Sequence, residues 1–213
     1  MWIGHRTRYL FSVKPLLAIL TCHAFKEQQD ACRDTWLKTW GKEIDYRFFI
    51  GDPKKRAKKD EVYLPVPDNY ESLPLKLFYT MKWTLERDYT NLFKADDDTY
   101  VHIPRLLASG YQYHDYCGSA RQLFYAAGGC GYWLSRRAMK ILVAEPEQEW
   151  KNRKLEDSSV GYYLVMNQKA PLFDDQRYVH SNLHWRFPTP GNDMITTHKC
   201  DPAYMREVHA RFL

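Results

Sequence analysis

The amino-acid sequence predicts an α/β protein, in which helices cover both faces of a mostly parallel, twisted central sheet. The chain has 213 residues, of which 45% are hydrophobic, and this is enough to bury the core of one domain and to exclude global disorder. Residues 16–20 form an uninterrupted apolar run, which is typical of a strand buried on both faces. The predicted elements then follow the order β-α-β-β-α-β, which favours a parallel sheet.

The first half of the chain, residues 14–100, contains the most regular apolar spacings. After the first strand, helical spacing is shown by Phe25, Cys32, Trp36 and Trp40. Gly41 then supplies a stop signal. A second helical face is formed by Leu77, Phe78, Met81 and Leu85. The other predicted strands of this half are residues 46–50, 60–64 and 89–95.

The second half of the chain, residues 101–213, has weaker patterns, and we treat residues 1–213 as one domain. The predicted strands are residues 111–118 and 123–134, the second of which is broken by Gly128-Gly129. The predicted helices are residues 136–143 and 156–166. The tail after Pro188 shows little periodicity and contains His198.

Charge and cysteine content exclude several classes of protein. The net charge of +5 allows an anionic ligand, but we expect no nucleic acid as a regulatory partner. The basic run at residues 54–59 is interpreted as a solvated loop, with a surface for an acidic acceptor or a membrane as the alternative. The five cysteines include no CxxC pair, so we expect buried thiols, and a Cys117–Cys130 disulfide stays open.

The sequence contains no apolar run of the about 20 residues that a transmembrane helix needs. The longest candidate is residues 16–22, which we assign to the first core strand. We therefore expect a soluble, cytoplasmic protein, with the Golgi lumen as the alternative if an N-terminal anchor has been removed. Aromatic residues make up 15% of the chain, and they serve either as sugar platforms or as core.

An acidic triplet, Asp96-Asp97-Asp98, directly follows the apolar strand at residues 89–95. Carboxylates inside a sheet would lose their hydration, so we place them at the carboxyl edge, where α/β sheets bind ligands. Alternation along an extended chain sends Asp96 and Asp98 to one side and Asp97 to the other. Two carboxylates on one side can hold a divalent cation that bridges a diphosphate. A solvated acidic loop is the alternative. A phosphatase or nucleotidyltransferase would use similar acids, but no GxxxxGK[ST] or HExxH motif accompanies them.

Several segments together resemble glycosyltransferase family 31, which includes β-1,3-galactosyltransferases, N-acetylglucosaminyltransferases and fringe enzymes. Residues 31–36 are similar to its Arg-x-Thr-Trp segment, and residues 94–98 match its Lys-x-Asp-Asp-Asp motif. Residues 155–161 are similar to its Glu-Asp-Val-x-x-Gly motif. Further resemblance lies in residues 48–51, 68–76 and the glycine-rich 127–132. The shared order and spacing of these segments, from about Leu16 to His198, make the set specific.

The resemblance implies a GT-A fold, which is a nucleotide-binding α/β/α sandwich. It also implies inverting transfer of a hexose from a UDP-sugar donor to a hydroxyl of a glycan acceptor. Asp98 would be the principal metal ligand, with Asp96 and His198 as further ligands. Because Mn²⁺ accepts both carboxylate oxygen and imidazole nitrogen, we expect Mn²⁺, with Mg²⁺ as the alternative. Asp157 would be the catalytic base, and the alternative is that Glu156 and Asp157 only complement the helix dipole.

The remaining site residues divide into two sets. The predicted donor-binding residues are Thr21, Cys22, Arg33, Lys76, Lys94, Asp96 and Asp97. The predicted acceptor-binding residues are Gly128, Gly129, Trp133 and Glu156. Arg33 and Lys76 are expected to pair with the diphosphate, with solvated helix charges as the alternative. His180 and His184 are rivals of His198 as the metal-binding histidine, and Trp133 and Tyr125 are either sugar platforms or core.

Two departures from the family pattern keep a second function open. Ser72-Leu73-Pro74 stands where the family has Asn-Leu-Thr, and Ser158 stands where it has valine. The first hypothesis is an enzyme that transfers galactose, N-acetylglucosamine or glucose to form a β-1,3 linkage. The alternative is a catalytically weak or inactive module that binds UDP-sugars or carbohydrate on the same fold.

Overall fold

The computed structural model describes residues 13–53, 57–180 and 189–213. In chain order, the strands are β1 (Pro15–Leu20), β2 (Asp45–Ile50), β3 (Glu61–Tyr63), β4 (Asn91–Asp96), β5 (Tyr100–Val101), β6 (Tyr116–Gly118), β7 (Ala120–Arg121), β8 (Tyr125–Ala126), β9 (Tyr132–Ser135), β10 (Leu172–Asp174), β11 (Tyr178–Val179) and β12 (Thr196–Thr197). The α-helices are α1 (Lys26–Asp34), α2 (Trp36–Trp40), α3 (Leu73–Leu85), α4 (Ile103–Leu107), α5 (Arg136–Val143), α6 (Glu147–Asn152), α7 (Glu156–Gly161) and α8 (Pro202–Ala210).

The central sheet has the strand order β10-β6-β9-β4-β1-β2-β3. β1 pairs in parallel with β2 and with β4, and β2 pairs in parallel with β3. β9 is antiparallel to both of its neighbours, β4 and β6. The prediction of a mostly parallel sheet is therefore confirmed. A smaller sheet has the order β11-β12-β5, and β7 pairs with β8 as a hairpin.

The core lies on both faces of the central sheet, as the uninterrupted apolar run of β1 predicts. Leu17 and Ile19 pack in one cluster with Trp36 of α2 and with residues of α1 and α8. The alternate residues of β1 pack on the other face with residues of α3, α5 and α6. Each apolar side chain of β1 is thus buried against one of two helical layers, which is the expected α/β/α sandwich.

The first helix differs from the prediction, because it is divided at Thr35. Thr35 has φ −109° and ψ −109°, outside the helical region, and it separates α1 from α2. Its hydroxyl donates a 2.6 Å hydrogen bond to the Ala31 carbonyl. Threonine hydroxyls often compete in this way with the regular helix ladder. The predicted stop is correct, since the Gly41 amide closes α2 on the Leu37 carbonyl at 2.8 Å.

The tail after Pro188 contains a short strand, β12, and a helix, α8, which its weak periodicity does not indicate. Asp201 accepts a hydrogen bond from the Tyr204 amide at 2.8 Å, and Pro202 occupies the first turn, so α8 has a well-formed start. Met205 and Val208 of α8 are buried in the core. The helix is short, and the Asp201-Pro202 pair at its start is the main feature of the sequence that indicates it.

The cysteine prediction agrees with the structure. All five cysteines are free thiols, including Cys117 and Cys130, and only Cys22 is not buried. No helix in the described part of the chain is long and apolar enough to cross a membrane. Residues 54–56 of the basic run lie outside the described residues.

Candidate active site

A cavity of about 690 Å³ opens at the carboxyl ends of β1 and β4. Thr21 and Cys22 follow β1, and Asp97 and Asp98 follow β4. The parallel pairing of β1 with β4 brings these two segments to the same sheet edge. Residues of α7 and of a 3₁₀ turn, Gly128–Cys130, also border the cavity. The cavity thus lies at the edge where α/β sheets bind ligands.

The acidic triplet divides as the strand alternation predicts. Asp96 and Asp98 lie with His198, and one ligand atom from each lies within 4.8 Å of the others. Asp97 is buried instead, and its Oδ2 accepts a 2.5 Å hydrogen bond from Thr21 Oγ1. Burial raises the pKa of Asp97 to about 7, although the Thr21 bond opposes the rise. Asp97 therefore ties the ends of β1 and β4 together, and its neighbours face the histidine.

His198 reaches the triplet through the smaller sheet. It directly follows β12, which pairs with β5 just after the triplet. The Cys200 amide also donates a 2.8 Å hydrogen bond to the Asp98 carbonyl. His198 Nε2 lies 3.3 Å from Asp98 Oδ1, and His198 Nδ1 is buried without a hydrogen-bond partner among the described residues.

These groups fit a divalent cation. Two carboxylates and one imidazole offer hard oxygen and borderline nitrogen, a donor set that suits Mn²⁺ better than Mg²⁺. No group in the described part of the chain hydrogen-bonds to His198 Nδ1, so the contacts described there leave this nitrogen with bonding capacity. The structure thus brings together Asp96, Asp98 and His198, the trio that the sequence predicts as metal ligands.

The rival histidines have different positions. His180 borders the cavity, and its ring centroid lies 5.0 Å from that of His198 in an edge-to-face arrangement. It does not belong to the group of ligand atoms around Asp98. Burial lowers the pKa of His180, and the neighbouring His198 adds to this effect. His184 lies outside the described residues.

Lys76 borders the cavity, but its charge is already paired. Its Nζ donates to the Thr21 carbonyl at 2.5 Å and to Asp68 Oδ1 at 3.1 Å, and the residue is only 3% exposed. Burial by itself would raise the pKa of Asp68, but the His23 amide and Lys76 outweigh it, and the pKa is lowered. Lys76 therefore holds the end of β1 through its hydrogen bond to the Thr21 carbonyl.

Arg33 is not brought to the cavity, and the diphosphate contact expected of it needs correction. Its guanidinium pairs with Asp60 at 2.8 Å and with Glu61 at 3.1 Å, both next to the end of α1, and with Asp30 at 3.1 Å. It also lies over the ring of Phe48, 4.3 Å from the centroid. Three carboxylates pair with this guanidinium, and Arg33 does not border the cavity, so its charge is not available to a ligand there.

Lys94 and Glu156 both border the cavity, but both are buried and bonded to the protein. Lys94 Nζ lies 2.6 Å from Asp96 Oδ1 and 3.2 Å from Glu156 Oε2. Glu156 is 4% exposed and accepts a hydrogen bond from the Tyr132 hydroxyl. Burial raises the pKa of Glu156 to about 7, against the effect of Lys94. Lys94 and Glu156, which the sequence predicts to contact the donor and the acceptor, thus border the cavity while their charged groups contact each other.

Asp157 lies in the first turn of α7 and borders the cavity. Its Oδ2 accepts a 3.0 Å hydrogen bond from the Gly128 amide, and its Oδ1 accepts a 2.7 Å bond from the Ser158 amide. The second contact is local, since Ser158 is the next residue in the same turn of α7. The first crosses 29 residues of chain and fixes the carboxylate at the cavity wall. Each oxygen keeps a second lone pair for another donor.

Trp133 is not an acceptor platform, which corrects the prediction. It is fully buried, and its ring stacks on Tyr111 with centroids 3.8 Å apart. It belongs to β9, where it pairs with Phe93 of the central sheet. The large exposed rings at the cavity are Tyr70, at 70% exposure, and Phe25, at 48%. Tyr125 borders the cavity as well.

Arg121 is the functional candidate that the sequence analysis missed. It ends β7, borders the cavity and is exposed. Within the described part of the chain it forms no ion pair, whereas Lys76 and Lys94 both do. A hairpin of two-residue strands leaves little periodicity, so no sequence signal indicates where Arg121 lies.

Solved structures with similar folds include several glycosyltransferases, whereas no protein-family model matches the chain. One is a glycosyltransferase involved in glycosylation of the major capsid of PBCV-1, with 13% identity and a TM-score of 0.54 over 91% of this chain and 99% of that one. Another is the galactosyltransferase LgtC in complex with donor and acceptor sugar analogues, with 10% identity and a TM-score of 0.52 over 92% and 95%.

Two further solved structures also have similar folds. GlyE from Streptococcus pneumoniae TIGR4 has 10% identity and a TM-score of 0.55, over 92% of this chain and 60% of that one. A cytidylyltransferase from Leptospira borgpetersenii has 11% identity and a TM-score of 0.51, over 76% of each chain. The predicted α/β fold of the GT-A type is therefore confirmed.

Proposed function

We propose that the protein is a metal-dependent glycosyltransferase that moves a hexose from a UDP-sugar to a hydroxyl of a glycan acceptor. One observation carries the proposal. The metal-binding trio Asp96, Asp98 and His198 and the carboxylate of Asp157 border the same cavity at the carboxyl edge of the central sheet. The similar folds of known glycosyltransferases support it. The motif set further supports membership of family 31, with one catalytic domain and a β-1,3 linkage.

The donor would lie along the ends of β1 and β4. Thr21 and Cys22 would border the uracil, and Arg121 would contact the diphosphate. A divalent cation held by the trio, Mn²⁺ in this proposal, would supply positive charge beside the leaving diphosphate. Arg121 takes the role that the sequence gives to Arg33, since it is a cation at the cavity that no carboxylate of the described residues holds.

Asp157 would act as the general base on the acceptor hydroxyl. Two backbone amides orient its carboxylate, and a free lone pair accepts the hydroxyl proton. The acceptor oxygen forms a bond to the anomeric carbon as the bond from that carbon to the β-phosphate oxygen breaks. The electron pair of the broken bond leaves with UDP. One base and one displacement invert the anomeric configuration.

The test is turnover of UDP-galactose, UDP-N-acetylglucosamine and UDP-glucose, with and without Mn²⁺, measured as released UDP. We expect Asp157→Asn to lower kcat about 100-fold or more, the range for a general base, with UDP affinity unchanged. Asp88→Asn, at an exposed position away from the cavity, is the matched control. NMR of the product should show the β-anomer from an α-linked donor.

Three results would count against the proposal. Retention of the anomeric configuration would remove the single-displacement mechanism. Full activity of Asp157→Asn would exclude this residue as the base. Tight UDP binding with no turnover of any donor would favour the module that only binds UDP-sugars.

A further inference from the structure

We infer that the buried ion pair of Lys94 and Glu156 is a positioning device, which holds the metal-ligand carboxylate of Asp96 in a fixed relation to the base Asp157. The inference rests on the proposed function. It concerns two residues whose side chains face protein groups, so neither is a catalytic residue. Each belongs to a segment that resembles the family, Lys94 to the acidic triplet segment and Glu156 to the Glu-Asp segment.

The ammonium of Lys94 is saturated by the protein. It has three donor hydrogens, and it meets three acceptors: Asp96 Oδ1 at 2.6 Å, the Gly128 carbonyl at 3.1 Å and Glu156 Oε2 at 3.2 Å. The residue is 1% exposed. Lys94 lies inside β4, between the antiparallel β9 and the parallel β1, so its backbone is fixed by the sheet. A fixed cation with no spare donor can orient its three partners.

A continuous set of hydrogen bonds joins the two functional groups. Lys94 binds Asp96 directly, and it binds the Gly128 carbonyl. The Gly128 amide in turn donates to Asp157 Oδ2 at 3.0 Å. Glu156 provides a second connection, since it binds Lys94 and adjoins Asp157 in the chain. The start of α7 is thus attached to the end of β4 by two routes.

The packing around Gly128 limits other arrangements. A Cβ at this position would lie 3.1 Å from Asp157 Cβ and 3.1 Å from Glu156 Oε2, which is tighter than ordinary contact. The other oxygen of Glu156 accepts a hydrogen bond from the Tyr132 hydroxyl, and Tyr132 is fully buried in β9. Both ends of the ion pair are therefore held by the central sheet.

A buried ion pair is an inefficient way to stabilise a fold. Well-packed apolar residues of similar size are often as stabilising or more so, whereas removal of one partner leaves an unpaired buried charge. This difference separates a purely structural pair from a positioning one. A structural pair can be exchanged for two apolar residues without loss of activity, and a positioning pair cannot.

The experiment compares Lys94→Met, Glu156→Met and the double variant with the wild type. We expect each single variant to unfold at lower temperature and the double variant to regain much of that loss. The double variant should still bind Mn²⁺ about 10- to 100-fold more weakly, the range for partners that orient metal ligands. Its kcat should fall about 100-fold, as expected from misplaced reacting groups, with a smaller change in KM.

The matched control exchanges a second ion pair, Arg153 and Glu145, for methionines. This pair is also largely buried but does not border the cavity. The control double variant should keep the Mn²⁺ affinity and kcat of the wild type. Glu156→Gln should restore part of the activity lost in Glu156→Met, because the amide keeps a hydrogen-bond acceptor for Lys94.

The inference is overturned if the Lys94→Met/Glu156→Met variant folds stably with wild-type Mn²⁺ affinity and wild-type kcat. If the wild type turns over no UDP-sugar, the proposed function fails, and the Mn²⁺ titrations still decide the inference. Equal Mn²⁺ affinity of the wild type and the double variant then overturns it, and weaker binding by the double variant alone supports it.

Discussion

Gly129 lies so close to His198 that a Cβ at position 129 would come within 2.1 Å of the imidazole Cε1. The Gly129 carbonyl is held at the same place by the Thr99 hydroxyl at 2.8 Å. The histidine therefore occupies the space that a glycine leaves open. The sequence analysis assigns Gly129 to the acceptor, whereas the structure gives it this second role beside a metal-ligand candidate.

Gly129→Ala should weaken metal binding without unfolding the protein. The added methyl group would push the His198 ring away from Asp98, and the loss of a well-placed ligand should lower Mn²⁺ affinity about tenfold or more. Calorimetric titration with Mn²⁺ measures the change. Gly191→Ala is the control, because among the described residues a Cβ there would meet only Thr189 Oγ1 at 3.9 Å. Equal Mn²⁺ affinity in both variants would contradict the proposed role of His198.

Arg121→Gln should weaken UDP binding about tenfold, since a hydrogen bond to a charged group contributes about 1.5 kcal/mol or more. Uridine has no phosphate, so its binding should not change. Arg206→Gln removes the same charge from an exposed site on α8 that does not border the cavity, and it should bind UDP as the wild type does. If calorimetry gives Arg121→Gln the UDP affinity of the wild type, Arg121 does not contact the diphosphate.

Trp133→Ala should lower the free energy of unfolding by about 3–5 kcal/mol, the usual cost of truncating a large buried aromatic side chain. Tyr70→Ala, at an exposed ring beside the cavity, should change it by less than about 0.5 kcal/mol. Urea denaturation measures both values. A stable Trp133→Ala variant would show that the stacking of Trp133 on Tyr111 contributes little to the core.

The stability of the fold should fall as the pH falls from about 6.5 to about 4 through one half-buried histidine, His102. Burial lowers the pKa of His102 to about 4, and the neighbouring Arg105 and His209 add to the effect. An unfolded histidine has a pKa of about 6.5, so the unfolded state binds the proton first, and protonation favours unfolding. The ring of His102 also stacks on Trp40, with centroids 4.4 Å apart.

His102→Gln isolates this contribution from other titrating groups. Asp97 and Glu156 have raised pKa values, so they shift stability in the opposite direction, and they are present in both proteins. The unfolding free energy of the wild type minus that of the variant, measured by urea denaturation from pH 7 to pH 4.5, should therefore become smaller as the pH falls. A difference that stays constant would show that His102 titrates normally.

The local sequence pattern correctly predicts the features that depend on a single strand or helix. The apolar run of β1 predicts burial on both faces, and the triplet after β4 predicts that Asp96 and Asp98 share a side. Both follow from the alternation of side chains along an extended chain. The tail is the exception, because α8 and the two-residue strands that carry His198 are too short for a periodicity to appear.

The roles of the charged residues depend on distant parts of the chain. Arg33 and Arg121 are equally good cations in the sequence, but Asp60 and Glu61 hold the first, whereas no carboxylate of the described residues pairs with the second. Glu156 and Asp157 are neighbours, yet one is buried against Lys94 and the other faces the cavity. Burial and ion pairing are set by contacts between elements, which sequence spacing does not specify.

The sequence by itself determined the α/β class, the sheet edge that carries the acidic triplet and the residue types available there, because strand polarity and side-chain alternation are local properties of the chain. The tertiary structure placed His198, and not its rival His180, with Asp96 and Asp98, and it alone decided that Arg121 and not Arg33 reaches the cavity and that Trp133 is core. Each of these depends on packing between segments far apart in the sequence, where small differences in distance decide which side chain meets the cavity.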